Sequence, residues 1–382
     1  MSAASAGGEP PPPPDVPTNS LALIALDASS LAAAKAQQTA VAPAQRVQGY
    51  LLAARAEATR RAYASDWAHF TLWCQRTQDY PGGPLRPLPA RPEAVALYLA
   101  EHAGQLTVAT LVRRCSAISA VHQAAGHPSP TTSPLVRTTL AGIRRVHRTA
   151  PAGKDPLLAH QLRQLLDALP RQDSKALLAA RDRCLLVLGF YGALRRSELV
   201  ALDLDDIYTD DQGLVLTLRR SKTDQDGHGR RIAMLHTGVT DTCPTEVYQS
   251  WLAALQRALP RRHPDTDPLT IDKHPTTSTT GTGAGGRPVF RPITRHGAPQ
   301  PRRLTDRAVA RIVQRTAMTA GLADRDLAGH SLRAGFATSA AAAGKSERAI
   351  MKQTGHKSLP MVRRYIREGS LFRDNATEGL IL

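Results

Sequence analysis

From about residue 46 to 148, apolar side chains return every three or four positions, the period of helices that bury one face. Four helices are expected there. Glu57 to Arg76 repeats Tyr63, Trp67, Phe70 and Trp73-Cys74 along one side. Pro92 to His102 has proline in its first turn, where the missing N–H costs nothing. Thr107 to Ala124 begins on a threonine able to cap it and stops before Gly126. Ser133 to Arg148 is the fourth, with Arg137, Arg144, Arg145 and Arg148 along it. Together they read as a small helical bundle.

Beyond residue 156 the pattern is mixed. Helices are expected at about 159–169 and 174–193, then near 244–259, 304–320, 330–343, 346–354 and 358–367. Gly213 to Arg220 and Arg230 to Leu235 read as two strands, joined by the polar loop Thr223 to Gly229. Thr149 to Pro156 holds two prolines, a glycine and no apolar period, and reads as a linker. The expected fold is mainly α with a small antiparallel β-sheet in the C-terminal domain (α+β). The expected organisation is a low-complexity tail at 1–45, a helical domain at 46–148, the linker at 149–156 and a second domain at 157–382. The tail includes Pro10 to Pro14 and should be disordered up to residue 19; residues 20–38, rich in Ala and Leu, suggest a weak helix. Residues 263–288, rich in Thr, Gly and Pro, read as a mobile surface insertion with no chemistry of its own.

Charge narrows the partner. The 382 residues carry a net charge of +17, which points to a polyanion, nucleic acid before membrane. The excess is uneven: residues 46–150 hold 13 arginines against five acids, whereas residues 1–45 hold one lysine against three acids. Only 8 of the 49 basic residues are lysine. Arginine can grip a phosphate with two parallel N–H bonds, although a GC-rich coding sequence would give the same bias. Candidate DNA-gripping residues are Arg60, Arg61, Arg113, Arg114, Arg144, Arg145, Arg219, Arg220, Arg230, Arg231 and Arg364, with ordinary solvated faces as the alternative. The four cysteines (Cys74, Cys115, Cys184, Cys243) are scattered and form no CxxC pair, which argues against disulfides or structural zinc and fits a reducing compartment. The longest apolar run, Cys184 to Leu194, is too short for a bilayer, and no secretory leader is read. A cytoplasmic, nucleoid-associated protein is expected.

Cleaving a DNA strand with a protein nucleophile makes definite demands. Charge builds on the nonbridging phosphate oxygens at the transition state and needs preorganised cationic donors. A tyrosine hydroxyl can attack phosphorus and leave an ester. Its free pKa of ~10 means that a base or nearby cations must help remove its proton. The departing sugar oxygen needs a proton from an acid such as Lys or His. No metal or other cofactor is required.

The chain holds candidates for each role, and each alone has a plainer reading. Arg195, in Arg195-Arg196-Ser197-Glu198-Leu199 at the end of an apolar helix, suits a phosphate oriented through Glu198, or is half of a surface i,i+3 pair. His330 and Arg333 share a helix face and could reach one phosphate, or merely open a helix whose Leu332 and Phe336 pack inward. Lys222 follows a strand at the mouth of the hairpin loop and could meet the leaving oxygen, or be a solvated turn lysine. His356 follows Gly355, a donor or a surface histidine beside a C-cap glycine. Tyr365 lies nine positions after His356 between Arg364 and Arg367, a nucleophile or ordinary half-buried packing.

The order of these weak signals is specific. Arg-x-Ser-Glu-Leu, a strand-loop Lys, His-x-x-Arg, Gly-His and a late Tyr form a series that resembles the tyrosine recombinase (phage-type integrase) family, over about 46–370. The resemblance implies a helical core-binding domain followed by a catalytic domain. It implies Arg195, Lys222, His330, Arg333 and His356 as the phosphate-activating set, Tyr365 as nucleophile and Glu198 as supporting acid. It also implies double-stranded DNA as partner, a 3′-phosphotyrosine intermediate, a Holliday junction, and a homotetramer on synapsed sites. In such relatives a C-terminal tail docks on a neighbouring protomer, and Leu371, Phe372, Leu380, Ile381 and Leu382 could do so. Residues 1–45 are acidic, unlike the basic arm-binding domain of many phage integrases, so a Cre-like or Xer-like form is expected. The competing readings are a type IB topoisomerase and a non-catalytic DNA-binding protein.

Overall fold

The computed structural model describes residues 55–77, 83–147, 153–170, 175–219, 229–259, 286–356 and 358–369, with backbone only for 367–369. The expectations for residues 1–45, the loop at 223–228, most of the insertion, the C-terminal apolar residues, Lys222 and Arg220 lie outside them. The chain divides into two compact units, residues 1–152 and 153–382.

The first unit is helical: α1 (Glu57–Arg76), α2 (Pro92–Glu101), α3 (Val108–Ala124) and α4 (Pro134–Val146). The capping expected at Thr107 is present, its side chain accepting the N–H of Thr110 at 3.2 Å. The apolar period closes a core of Trp67, Phe70, Trp73, Tyr98, Leu99, Leu111 and Ile118, each at most 7 % exposed.

The second unit opens with α5 (Ala159–Asp167), α6 (Ala176–Tyr191) and α7 (Arg196–Ala201). A three-stranded antiparallel sheet follows, ordered β1 (Ile207–Asp210), β2 (Gly213–Leu218), β3 (Arg230–Leu235). The strand β1 is not anticipated in the sequence: four residues are too few to show a period of two. Pairing of Asp210 with Gly213 leaves Asp211 and Gln212 as the turn that joins it to β2. Along β3 the alternation is plain, with Ile232 and Met234 buried and Arg231, Ala233 and Leu235 exposed. Then come α8 (Pro244–Ala258), α9 (Asp306–Thr319), α10 (Gly329–Ala342), α11 (Glu347–Thr354) and α12 (Leu359–Gly369). The fold is mainly α with this one small sheet.

Two sequence readings need correction. Residues 286–288, assigned to the insertion, belong to the framework. Arg287 accepts the Leu204 N–H at 2.9 Å, Pro288 bridges to Asp203, and Val289 and Phe290 are fully buried. Likewise Arg195-Arg196-Ser197-Glu198-Leu199 does not end the apolar helix. That helix stops at Tyr191, and these residues open the short α7.

Helix α10 is central to the site and is packed tightly against the chain entering the unit. Asp155 donates its N–H to Asp326 (3.0 Å) and Leu157 to Ser331 (2.9 Å). Gly335, one turn on from Ser331, allows this approach: a Cβ there would stand 1.7 Å from the Leu157 carbonyl oxygen. Alanine is the better helix former by ~1 kcal/mol, yet Gly335→Ala should destabilise the unit, at or above the upper end of the ~1–3 kcal/mol that overpacking costs. Thermal unfolding checks this; an unchanged melting temperature would mean that the entering chain moves aside freely.

Candidate active site

The site is assembled where α6 gives way to α7, at the start of α10 and along α11–α12. Between α6 and α7 the backbone of Ala193 takes φ +47°, a left-handed conformation that a residue with a Cβ rarely adopts. Such strain costs ~1–3 kcal/mol and is sustained by its surroundings. It aims the Ala193 carbonyl at Arg333, whose Nη1 donates to it at 2.7 Å. The next residue but one, Arg195, is the extended N-cap of α7. Glu198 holds it twice: Oε1 pairs with Arg195 Nη1 at 2.5 Å and Oε2 accepts its backbone N–H at 2.8 Å. The Glu198 side chain is only 2 % exposed, so this is a buried positioning acid and not a surface pair.

On α10, Ser331 caps the helix by accepting the Ala328 N–H at 2.9 Å. His330 keeps part of its surface in solvent, whereas Arg333 is 1 % exposed. Burial and the neighbouring Arg195 lower the Arg333 pKa to about 10. Its Nη2 is buried with no hydrogen-bond partner among the described residues. A buried donor on a cation left without a partner is costly.

The tyrosine arrives on α12. Val362 is fully buried in a small separate core with Ala337, Ala341 and Ile350, and Tyr365, three residues on, packs against that core. This places the Tyr365 Oη 3.0 Å from His330 Nε2. The ring of His356 lies alongside, centroids 6.0 Å apart and planes 30° apart. Partial burial and the cations Arg333, Arg195, Arg196 and Arg364 lower the His330 pKa, so its neutral form can accept the tyrosine proton. Gly355, left-handed at φ +66°, ends α11 and turns the chain to His356.

The His356 pKa falls to about 4 through burial, Arg333 and Arg195. Thr354 spends its hydroxyl proton on Ile350 O (2.8 Å), so the His356 Nδ1, 2.8 Å from Thr354 Oγ1, must carry the proton of that bond. Nε2 is then the end that gains a proton when negative charge arrives. The depressed pKa makes a pH prediction. Above pH ~6.5 folded and unfolded forms are both neutral here. Below it the unfolded chain binds a proton that the folded one refuses, so stability is lost as pH falls from ~6.5 towards ~4. His356→Gln should remove about 2 kcal/mol of the stability lost between pH 7 and 5. Urea unfolding of both proteins at the two pH values checks it; equal losses would place the acid sensitivity elsewhere.

Arg195, His330, Arg333, His356 and Tyr365 thus lie together, while Lys222 is outside the described residues. Neither the carbonyl of Ala193 nor Thr354 is marked in the sequence, because neither role depends on residue type at a recognisable spacing. The outer arginines divide. Arg61 pairs loosely with Glu57 (3.6 Å), Arg60 is half-buried, and Arg144 and Arg145 stand exposed in the last turn of α4. Arg113 is held by Asp66 through two bonds of 2.7 and 2.9 Å, half exposed. Arg114 is corrected: it is buried, 2.6 Å from the Tyr98 hydroxyl and beside His69, so it ties the bundle together. Arg219 pairs with Asp206 at 2.6 Å, Arg231 lies over the Tyr208 ring, and Arg364 is exposed on α12.

Residues 156–370 match the model of the phage integrase family. The chain belongs to that family. A Selenomonas ruminantium protein named integrase/recombinase xerD homolog is 38 % identical over 325 residues, 84 % of this chain and 85 % of that one. Tyrosine recombinase XerC of Myxococcus xanthus is 28 % identical over 197 residues, 52 % of this chain and 53 % of its own. Among solved structures, XerH recombinase in a post-cleavage complex with its palindromic difH substrate superposes with a TM-score of 0.56 at 16 % identity, covering 88 % of this chain and 83 % of that one. A lambda integrase dimer bound to a core site gives 0.51 at 18 % identity, covering 84 % and 92 %. These likenesses show the common fold. The family match and the named relatives make this phage integrase family member a tyrosine site-specific recombinase.

Proposed function

We propose that this recombinase cleaves double-stranded DNA with Tyr365 and rejoins it to a partner duplex. The observation that carries the reading is the tyrosine hydroxyl 3.0 Å from His330 Nε2, beside a buried arginine whose Nη2 has no partner among the described residues. Two of the solved neighbours are themselves complexes with DNA, XerH with difH and lambda integrase with its core site, and the net charge of +17 suits the same partner.

In this mechanism Arg195 and Arg333 hold the nonbridging oxygens of the scissile phosphate. His330 accepts the Tyr365 proton as Oη bonds to phosphorus. The bond from phosphorus to the 5′ oxygen breaks, and that oxygen takes a proton from an acid, the role given to Lys222. The arriving phosphate raises the proton affinity of His356, which then donates from Nε2. The product is a 3′-phosphotyrosine and a free 5′-hydroxyl, which attacks the ester on the partner duplex. Repeating this on the second strand pair resolves a Holliday junction within four protomers. The ester conserves the bond energy, so the exchange needs no nucleotide hydrolysis. The family match favours this exchange over the strand relaxation of a topoisomerase.

Covalent trapping tests the reading. The protein is incubated with nicked duplexes drawn from the DNA flanking its own gene, quenched in SDS, and the attached DNA is sequenced. A discrete 3′-linked adduct is expected. Tight binding with no adduct on any duplex would overturn cleavage in favour of a binding protein.

A further inference from the structure

Arg230 opens β3, yet its guanidinium reaches the end of α11. Nη1 donates to the carbonyl of Gln353 at 2.9 Å and to that of Lys352 at 3.3 Å. Such terminal carbonyls lack partners within their helix and favour a cation. Gln353 returns the tie, its Nε2 donating to Ala233 O at 3.2 Å and to Tyr191 O at 2.7 Å. The contact also explains the glycine before His356. Besides its left-handed backbone, a Cβ on Gly355 would stand 2.4 Å from Arg230 Nη1. Arg230 is therefore fixed in place beside the Gly355-His356 turn.

The other end of the guanidinium has no such use. Nη2 of Arg230 is buried and has no hydrogen-bond partner among the described residues, as is also true of Nη2 of Arg333. Arg230 acts electrostatically on Arg333 and His356, and Arg195 and Glu198 act on it. The acid in this group, Glu198, is already bound twice by Arg195. Among the described residues, two buried guanidinium donors are thus left among cations that one acid does not balance. Buried charge and unmet donors are tolerated where a ligand supplies what is missing, and an oxyanion supplies both.

From this geometry we propose that Arg230 is a third arginine of the phosphate pocket, with Nη1 anchored on α11 and Nη2 donating to a nonbridging oxygen of the scissile phosphate. This rests on the cleavage reading above. The bond strengthens as charge gathers on those oxygens, so Arg230 lowers the barrier to attack by Tyr365. It takes no proton and forms no covalent bond.

A strut that only steadied His356 would matter whatever the charge of the phosphate. A direct donor matters little once that charge is removed. The test uses the duplex captured by trapping, resynthesised with either a normal phosphate or an uncharged methylphosphonate at the scissile position. Single-turnover adduct formation is measured for wild type, Arg230→Gln and Arg230→Lys, with melting temperatures alongside. Arg230→Gln should be about 100-fold or more slower than wild type on the phosphate, the scale of losing a preorganised donor, and nearly equal to wild type on the methylphosphonate. If that variant does not fold, Arg230→Lys, which keeps a cation but cannot serve both ends, carries the same comparison. An equal loss on both duplexes, or none on the phosphate, overturns the proposal. Failure of wild type to form any adduct overturns the cleavage reading instead, and this inference with it.

Discussion

Tyr365→Phe is expected to abolish the covalent adduct while leaving DNA affinity within about twofold, since phenylalanine cannot form the phosphoester. The substitution removes one oxygen. The ring keeps its place against the small core of Ala337, Ala341, Ile350 and Val362 and alongside His356. His330 loses a partner at 3.0 Å, but part of its surface is in solvent and water can replace the hydroxyl. The fold should therefore survive, and a change in circular dichroism or melting would be small. The measurement is SDS-resistant capture of a nicked duplex beside a filter-binding titration. An adduct that persists in the variant moves the nucleophile to another residue.

Arg333→Met should slow cleavage by about two to three orders of magnitude, the typical cost of losing one preorganised oxyanion donor. Its effect on stability should be small, and this contrast is the more telling part. Arg333 is 1 % exposed, and its pKa is lowered to about 10 by burial and Arg195. Holding that buried cation beside Arg195 costs the fold on the order of 3 kcal/mol, each tenfold change in proton affinity being worth about 1.4 kcal/mol. Methionine fills similar volume without charge. It leaves the Ala193 carbonyl without the 2.7 Å bond, a loss of ~1–3 kcal/mol that offsets the gain. The melting temperature should accordingly stay within a few degrees of wild type. A normal cleavage rate would dismiss the phosphate role. A collapse of the fold would show that Arg333 is chiefly a structural link between α10 and the turn before α7.

These expectations draw on a site whose parts were readable in unequal measure. The series from Arg195 to Tyr365 was legible because each member is a chemically distinctive type and the order is unusual. Helices with strong apolar periods, such as Glu57–Arg76, were legible to the residue. Four-residue β1 is not, and α7 reads from sequence as the end of the preceding helix because Leu202 continues the apolar side. The arginines were the least legible. Arg113 and Arg114 are neighbours on α3, yet one is half exposed and the other buried under Tyr98.

What the sequence by itself determined is therefore the inventory: which helices form, because one face of each must leave water, and which reactive groups the chain carries. The tertiary structure alone decided how those groups are used. Packing of α12 through Val362 sets the tyrosine beside His330, and the strained Ala193 carbonyl aims Arg333. Burial then separates histidines and arginines of identical chemistry, holding His356 neutral and leaving Nη2 of Arg230 and of Arg333 without hydrogen-bond partners among the described residues. Desolvation and the nearness of other charges depend on residues far apart in the chain, and no local pattern encodes them.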